Sequence, residues 1–492
     1  MYLSFRIFLN FKVFSFCLLL LLGAIGEGYG QTKVLANEAT FASPNVPRTL
    51  LENLGIGAPS QRTVENSTNA TNEQNTFARL NASPGLLAGL GAFGGTLELK
   101  FPGAKIPGGT TTYIKLNASD NLLSALLGGS LGNVLNSLLS TVALGAHVFT
   151  IQARDGNTVV YTANSLNQFN GTNAKVISDK DGDIYLSITP SLDYDRIRIS
   201  NETTSLLGLS ILQNPKTLDI YQAFYISNSS DCSSFEFTSF DGTGLTLDLL
   251  NLGGAGVANS HYAIDDNVNT ASEIGVGVLG VAASMSQYIY LSKPSTIGDG
   301  FNVTLQINNS ALLNLGLGDG IVVRAWSGTG ATPVFEQAFN ESNLLGLINL
   351  DLLNLLKSGE PVTVPFSPSV TFDRIEIAVN TTVNASIPRI VNVYDIDIIT
   401  AKPQAEPDTF HICSGDTAQL AVTTQSPRLR WYLTSDAVDH EIETDSDESY
   451  NVSPTANTTF WVSAANACNE SERVPINVVV YPKPPAPHIT AN

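Results

Sequence analysis

Few residues of this sequence stand at spacings where chemistry would need them. Gly128-Gly129-Ser130-Leu131-Gly132 has the pattern of a nucleophile elbow, in which a serine on a strained strand-to-helix turn works with a distant acid and histidine. The motif lies in a Leu/Gly-rich stretch and has no counterpart later in the chain, so hydrolase chemistry is not expected from it. Gly89-Leu90-Gly91-Ala92-Phe93-Gly94 and Gly275-Val276-Gly277-Val278-Leu279-Gly280 match the dinucleotide pattern, but neither sits in a strand–helix–strand unit. The histidines, at 147, 261, 411, 440 and 488, form no paired helical ligand set of the zinc-protease kind. Asp179-Lys180-Asp181-Gly182-Asp183 looks like a cation loop. It lacks the downstream glutamate of an EF-hand, and Asp-Gly reads better as a hairpin turn. Carboxylates are plentiful, yet nothing selects a glycosidase pair. The chain is therefore read as non-enzymatic.

The N-terminus decides the compartment. Arg6 and Lys12 precede a short apolar run centred on consecutive leucines, and small residues lead to Gly30-Gln31. That describes an export signal over residues 1–30, too short in its apolar core to span a bilayer. After its removal no transmembrane helix is expected. Acidic residues outnumber basic ones by 44 to 25, for a net charge of −19. Nucleic-acid partners need clustered Lys and Arg and are excluded on that ground.

Internal duplication is the strongest signal in the chain. Asn72-Glu73-Gln74-Asn75-Thr76 is followed by an extended stretch over 97–117. Asp266-Asn267-Val268-Asn269-Thr270 is followed by a similar one over 288–308. Thr189-Pro190-Ser191-Leu192-Asp193-Tyr194-Asp195-Arg196-Ile197-Arg198-Ile199 then aligns with Ser367-Pro368-Ser369-Val370-Thr371-Phe372-Asp373-Arg374-Ile375-Glu376-Ile377. Residues 217–224 and 390–398 end the two series as alternating strands. Asp195-Arg196 and Asp373-Arg374 must then open equivalent strands, with Ile197 and Ile375 on the buried side. Short alternating runs broken by Gly, Asn, Asp, Ser and Pro indicate β-sandwiches, and no helices alternate with them. Leucine-rich stretches at 122–139 and 344–356 read as loops or short helices plugging a sandwich end.

Beyond residue 400 the texture changes. A Pro-punctuated linker over 401–407 leads to a smaller module over 408–481, and 482–492 is again Pro-rich. Once the signal is removed, Cys232, Cys413 and Cys468 remain, enough for one pair with one left over.

The small module carries Cys413-Ser414-Gly415-Asp416, Trp431 on a strand, Tyr450-Asn451-Val452-Ser453-Pro454 and Ala467-Cys468-Asn469-Glu470-Ser471. It resembles the immunoglobulin-like modules of surface proteins from gliding and gut bacteria. That resemblance implies a disulfide between Cys413 and Cys468 tying strand ends, with Cys232 unpaired. The loop Asp265-Asp266-Asn267-Val268-Asn269-Thr270 is similar to an early loop of discoidin-like, galactose-binding-like jelly rolls. That resemblance implies a structural calcium held by Asp265, Asp266, Asn267, Asn269 and Thr270, since calcium takes six to eight oxygen ligands. The first copy has Thr71 and Asn72 where the second has Asp265 and Asp266, so its charge is weaker.

The expected fold is all-β: tandem jelly-roll-like β-sandwiches over 31–228 and 229–400, followed by an Ig-like β-sandwich. The function expected of such an exported array is non-catalytic binding or adhesion at the cell surface, with a surface glycan or protein as ligand. Sugar-binding surfaces offer aromatic rings beside polar groups, and Tyr262, Tyr288 and Trp326 are the candidates for that platform. Two other readings are an accessory region of an exported hydrolase whose catalytic domain lies beyond Asn492, and a structural stalk. The Pro-rich end and the incipient strand after it predict that the protein continues past Asn492.

Overall fold

The computed structural model describes residues 33–42, 63–71, 76–83, 93–120, 122–128, 146–166, 169, 173–204, 216–227, 232–243, 256–276, 283–307, 320–328, 330–339, 348, 350–381, 389–426, 428–435, 441–446, 449–466 and 468–483. The signal segment, Asn72 to Asn75, Ser130 and the end of the chain lie outside them.

The described residues are mostly in strands, as the alternating runs require. The first sandwich runs through β1 (Lys33–Leu35), β2 (Glu38–Ala42), β3 (Val64–Glu65), β4 (Ala78–Ala82), β5 (Gly95–Lys100) and β6 (Thr112–Ala118). It continues with β7 (Ala146–Asp155), β8 (Thr158–Asn164), β9 (Ala174–Asp179), β10 (Ile184–Ile188), β11 (Arg196–Thr204) and β12 (Lys216–Ile226). One sheet has the order β2-β5-β11-β7-β8, and the other includes β9-β10-β6-β12-β4-β3. Between them lies a core with Leu97, Leu99, Ile114, Phe149, Ile197 and Ile199 fully buried.

The second sandwich repeats this order. Its strands are β13 (Phe235–Thr243), β14 (Gly256–Ala258), β15 (Ser272–Val276), β16 (Ala283–Leu291) and β17 (Asp299–Ile307), then β18 (Ile321–Trp326), β19 (Phe335–Ala338), β20 (Val362–Phe366), β21 (Arg374–Thr381) and β22 (Arg389–Thr400). The sheet β13-β16-β21-β18-β19 answers β2-β5-β11-β7-β8, and β20-β17-β22-β15-β14 answers β10-β6-β12-β4-β3. The equivalence reaches irregular details. The register of β12 on β6 slips between Ile220 and Gln222, skipping Tyr221, and that of β22 on β17 slips beside Tyr394. Counting back along β6 and β17 from those slips, Gly109 (φ +87°) falls opposite Gly298 (φ +90°), a conformation that an L side chain rarely adopts.

The duplicated Asp-Arg pairs open β11 and β21, with Ile197 and Ile375 in the core. Each aspartate pins the neighbouring hairpin. Asp195 accepts the Gly156 N–H at 2.9 Å, and Asp373 accepts that of Gly328. Both glycines have positive φ, +55° and +58°, at the β7–β8 and β18–β19 turns. The helical plugs are partly present: α1 (Leu122–Leu127) buries Leu122, Leu123 and Leu126, and α2 (Leu350–Ser358) buries Leu353 and Leu356.

The two sandwiches share one continuous sheet. β13 pairs with β9 through Phe237↔Asp179 and Thr238↔Ser178. Two strands separate β13 from β6, about 14 Å in a flat sheet. Yet the rings of Phe237 and Tyr113 stack at 4.6 Å, so the sheet folds over on itself. Tyr113, Ile177, Tyr185, Phe224 and Phe237 fill that fold as a separate buried cluster. The Asp179–Asp183 segment is the tight hairpin turn its Asp-Gly suggested, and it meets the second sandwich through Lys180 and Asp266 at 3.3 Å.

The last module comprises β23 (Thr409–Cys413), β24 (Ala418–Ala421), β25 (Arg428–Tyr432), β26 (Glu441–Ser446), β27 (Ser449–Val452), β28 (Thr458–Ala465) and β29 (Val474–Tyr481). Its larger sheet runs β23-β29-β28-β25-β26, with β23 parallel to β29, and Trp431 sits fully buried against Tyr450. The 401–407 stretch is hydrogen-bonded to both of its neighbours. Ala401 N donates to Gly298 O at 2.9 Å, and Gln404 and Thr423 exchange two backbone bonds of 2.8 Å.

The expected Cys413–Cys468 bond is overturned. Cys468 pairs with Cys232 and Cys413 is free. Strand register explains why. Cys413 lies level with Tyr481 at one end of β29, whereas Cys468 follows Ala465 beyond the other end of the sheet. That places them on the order of 30 Å apart, far outside bonding reach. Peptide mapping without reductant should recover a Cys232–Cys468 cross-linked peptide and alkylated Cys413. Cys232→Ser should lower unfolding stability by up to roughly 5 kcal/mol, the chain-entropy value for so long a loop.

Candidate functional site

Pleating sends alternate residues of β21 to opposite faces. Ile375, Ile377 and Val379 enter the core, so Arg374 and Glu376 must lie on the outer face. Register then fixes their company: Tyr290, Arg374 and Trp326 stand side by side on β16, β21 and β18, and so do Tyr288, Glu376 and Arg324. Two of the three expected platform residues, Tyr288 and Trp326, are thus brought to one face.

Glu376 is the centre of that face, only 3% exposed. Its carboxylate accepts hydrogen bonds from Ser286 Oγ (2.7 Å), Arg324 Nη1 (3.1 Å) and Trp326 Nε1 (3.0 Å). A buried charge is tolerated only when paired and hydrogen-bonded in this way. Arg324 also grips Glu336 at 2.6 Å, and the Arg374 guanidinium lies 5.4 Å from the Trp326 ring centre. Burial lowers the Arg324 pKa, but Glu336 and Glu376 outweigh it and raise it overall. Burial, helped by the Glu376 charge, pushes the Tyr288 phenol up, so it stays neutral. Tyr290 takes a hydrogen bond from Lys175 of the first sandwich at 3.1 Å and shares one with Ser239, which commits it to the seam. Tyr288 and Trp326 remain half-buried, with polar groups around them.

Tyr262 is not on this face. It sits in the single turn Ser260–Ala263, where the Ser260 carbonyl accepts from Gln287, an inward-facing residue of β16. Its ring lies against His261 at 4.5 Å.

The loop expected to hold calcium closes on itself. Asp265 accepts from Asn267 N (3.1 Å) and Thr270 Oγ1 (2.7 Å), and Asn267 Oδ1 accepts from Asn269 N (3.1 Å). Among the described residues no group of three or more His, Cys, Asp or Glu is placed to hold a metal ion. Carboxylates do crowd nearby: burial first, then the charge of Asp397, raises the Asp395 pKa to about 6, with a smaller push from Asp266.

Sequence reasoning missed Glu376 as the centre, together with Arg324, Ser286 and Tyr290. The signal was present, because Glu376 falls within the duplicated run and shares a face with Arg374 by simple alternation. Position-by-position comparison of the copies exposes it. Through Arg196≡Arg374, the first copy has Lys100, Glu98 and Arg154 where the second has Tyr290, Tyr288 and Trp326. In the first copy that face is an ionic cluster of Glu98 with Arg154, Arg196 and Arg198.

Residues 401–482 match the family described as Ig-like domain, CHU_C associated. No curated protein matches the chain. Among solved structures it is similar to the adhesin domain of Epf from Streptococcus pyogenes at 12% identity, over 43% of this chain and 77% of that one, with a TM-score of 0.19. It is also similar to the M60 catalytic domain with the CBM51-1 and CBM51-2 domains from Clostridium perfringens ZmpB, at 7% identity over 66% and 34% of the two chains, with a TM-score of 0.14. Among the described residues no helix is long and apolar enough to cross a membrane.

The raised Asp395 pKa makes folding stability depend on pH. A carboxyl whose folded pKa lies above its unfolded value costs stability once both states are ionised, and this cost disappears as pH falls below about 4. Asp395→Asn should therefore raise the melting temperature at pH 7, with the gain fading between pH 6 and 4. Paired thermal melts across that range check it.

Proposed function

We propose that this chain is an exported, non-catalytic binding protein of the cell surface whose ligand is a glycan held on the Trp326–Tyr288 face. The observation that carries this reading is the exchange between copies. On one scaffold, three charged residues of the first sandwich, Lys100, Glu98 and Arg154, are replaced by aromatic ones at the same three places in the second. A sheet face of ions needs no aromatic rings to stay folded, as the first copy demonstrates. Half-buried rings beside Glu376, Arg324 and Glu336 supply the apolar stacking surface and polar edge that sugars require. Export is supported by the Ig-like module and by the disulfide, which belongs to an oxidising compartment.

Glycan-array binding of the exported protein tests the reading. Trp326→Ala and Tyr288→Ala should each weaken retention by about tenfold, near 1.4 kcal/mol per ring. Tyr262→Ala, off the face, should leave it unchanged. Equal losses in all three variants, or no glycan retained by the parent protein, would remove the proposal.

The reading extends to a structural calcium at Asp265, Asp266, Asn267, Asn269 and Thr270, supported by the run of oxygen-bearing side chains in that loop. Calcium that binds only the folded form raises the melting temperature by mass action. Excess calcium should shift the melt upward relative to chelator, and Asp266→Ala should abolish the shift. Identical curves would remove calcium from the account.

A further inference from the structure

The Cys232–Cys468 bond closes a very large ring. Its cysteines are 236 positions apart, and the ring contains β13 through β22, hence the whole Glu376 face, and β23 through β28 of the Ig-like module. Among the described elements, those of the first sandwich precede it and β29 follows it.

A pull applied across the chain ends therefore meets a fork at Cys232. One branch runs through every strand of the second sandwich and most of the last module. The other is a single covalent bond. Non-covalent contacts yield long before a covalent bond does, so the short branch takes the tension. The geometry after Cys468 leaves little slack. After Cys468 the chain turns and runs straight as β29, whose eight residues are already extended, towards Tyr481 at the opposite end of the module. On the other side Cys232 follows β12, which is hydrogen-bonded along its length to β6 and β4.

The bond is also braced where it crosses between modules. Asn466 Nδ2 donates to Asp299 Oδ1 at 2.6 Å, close in sequence to Cys468. Lys402 pairs with Glu472. Gly298 packs so tightly on Ser426 that an added Cβ would lie 2.8 Å from its Oγ. Ser233, next to Cys232, donates to the Pro294 carbonyl at 3.1 Å. The equivalent glycine of the first sandwich, Gly109, has nothing within 4 Å of an added Cβ.

We propose that the Cys232–Cys468 disulfide is a mechanical bypass: it carries end-to-end tension around the second sandwich, leaving the Trp326–Tyr288 face unloaded while the chain is under force. Its purpose rests on the surface-binding reading, but its mechanics do not.

Single-molecule stretching of the whole exported chain, held at its two ends, tests this without any ligand. The oxidised chain should lengthen only by what the first sandwich and the segment after Cys468 release. Reductant added after capture should expose a further gain of about 80 nm, 236 positions at about 3.4 Å each. Cys468→Ser should show that gain without reductant, and post-capture reduction of the parent gives the same comparison if the variant fails to fold. An oxidised chain that already releases the full length, or reductant that adds none, would overturn the proposal. So would free thiols at both positions in the exported protein. Glycan binding measured at zero force fails or succeeds independently, which keeps the two readings apart.

Discussion

The alternation of side chains along a strand is the constraint on which this structure turns. In β21 the need to bury Ile375, Ile377 and Val379 leaves Arg374 and Glu376 only the opposite face. Once Glu376 is committed there with its charge, its neighbours are constrained too. Ser286, Arg324 and Trp326 must all aim polar hydrogens at one carboxylate, because an unsatisfied buried charge would cost several kcal/mol. The orientation of the tryptophan ring follows from that demand. Core burial on one side of the sheet thus sets the geometry of the candidate ligand surface on the other.

The two sandwiches show how far one scaffold tolerates different solutions. They keep the strand order, the Asp–Gly hairpin pin and even the register slip beside a tyrosine. They differ in what occupies equivalent positions. Val379 is plain core in the second copy, while its counterpart Asn201 is a buried polar residue in the first. The Asn201 amide donates to the Leu80 and Lys216 carbonyls, so its oxygen accepts from His147 Nε2 at 2.7 Å. The other His147 nitrogen faces Asp120 at 3.1 Å. Burial pushes Asp120 up, but the bonds from His147 and Lys216 prevail and hold it near 2. A polar core position is affordable only with every partner supplied.

Much of this was legible in the residues. Duplication could be read because identical strands need identical alternation, and the long aligned run at 189–199 and 367–377 spans a turn, a pin and a core strand together. The Asp-Gly hairpin at 181–182 was legible because turn chemistry is local. Cysteine pairing was not. It depends on which end of the module each strand reaches, and a first strand lying parallel to the last sends Cys413 away from Cys468. Nor could the sequence show that Tyr262 turns away from Tyr288, since a single helical turn between strands has no period to read. Trp326 and Tyr288 were chosen as aromatic residues; that they flank one glutamate follows from strand neighbours distant in sequence.

The junction between β9 and β13 has a consequence for how such a chain can be inherited. Each of these strands would be the open margin of its own sheet, with a row of unpaired N–H and C=O groups offered to any neighbour. Joined, they cover each other at Phe237–Asp179 and Thr238–Ser178. A sandwich of this type cut out alone would carry a raw, sticky border and an uncovered aromatic hollow around Tyr113 and Phe224. The pair covers that border and that hollow together. A duplication joined in this way is inherited more safely as one block than as two.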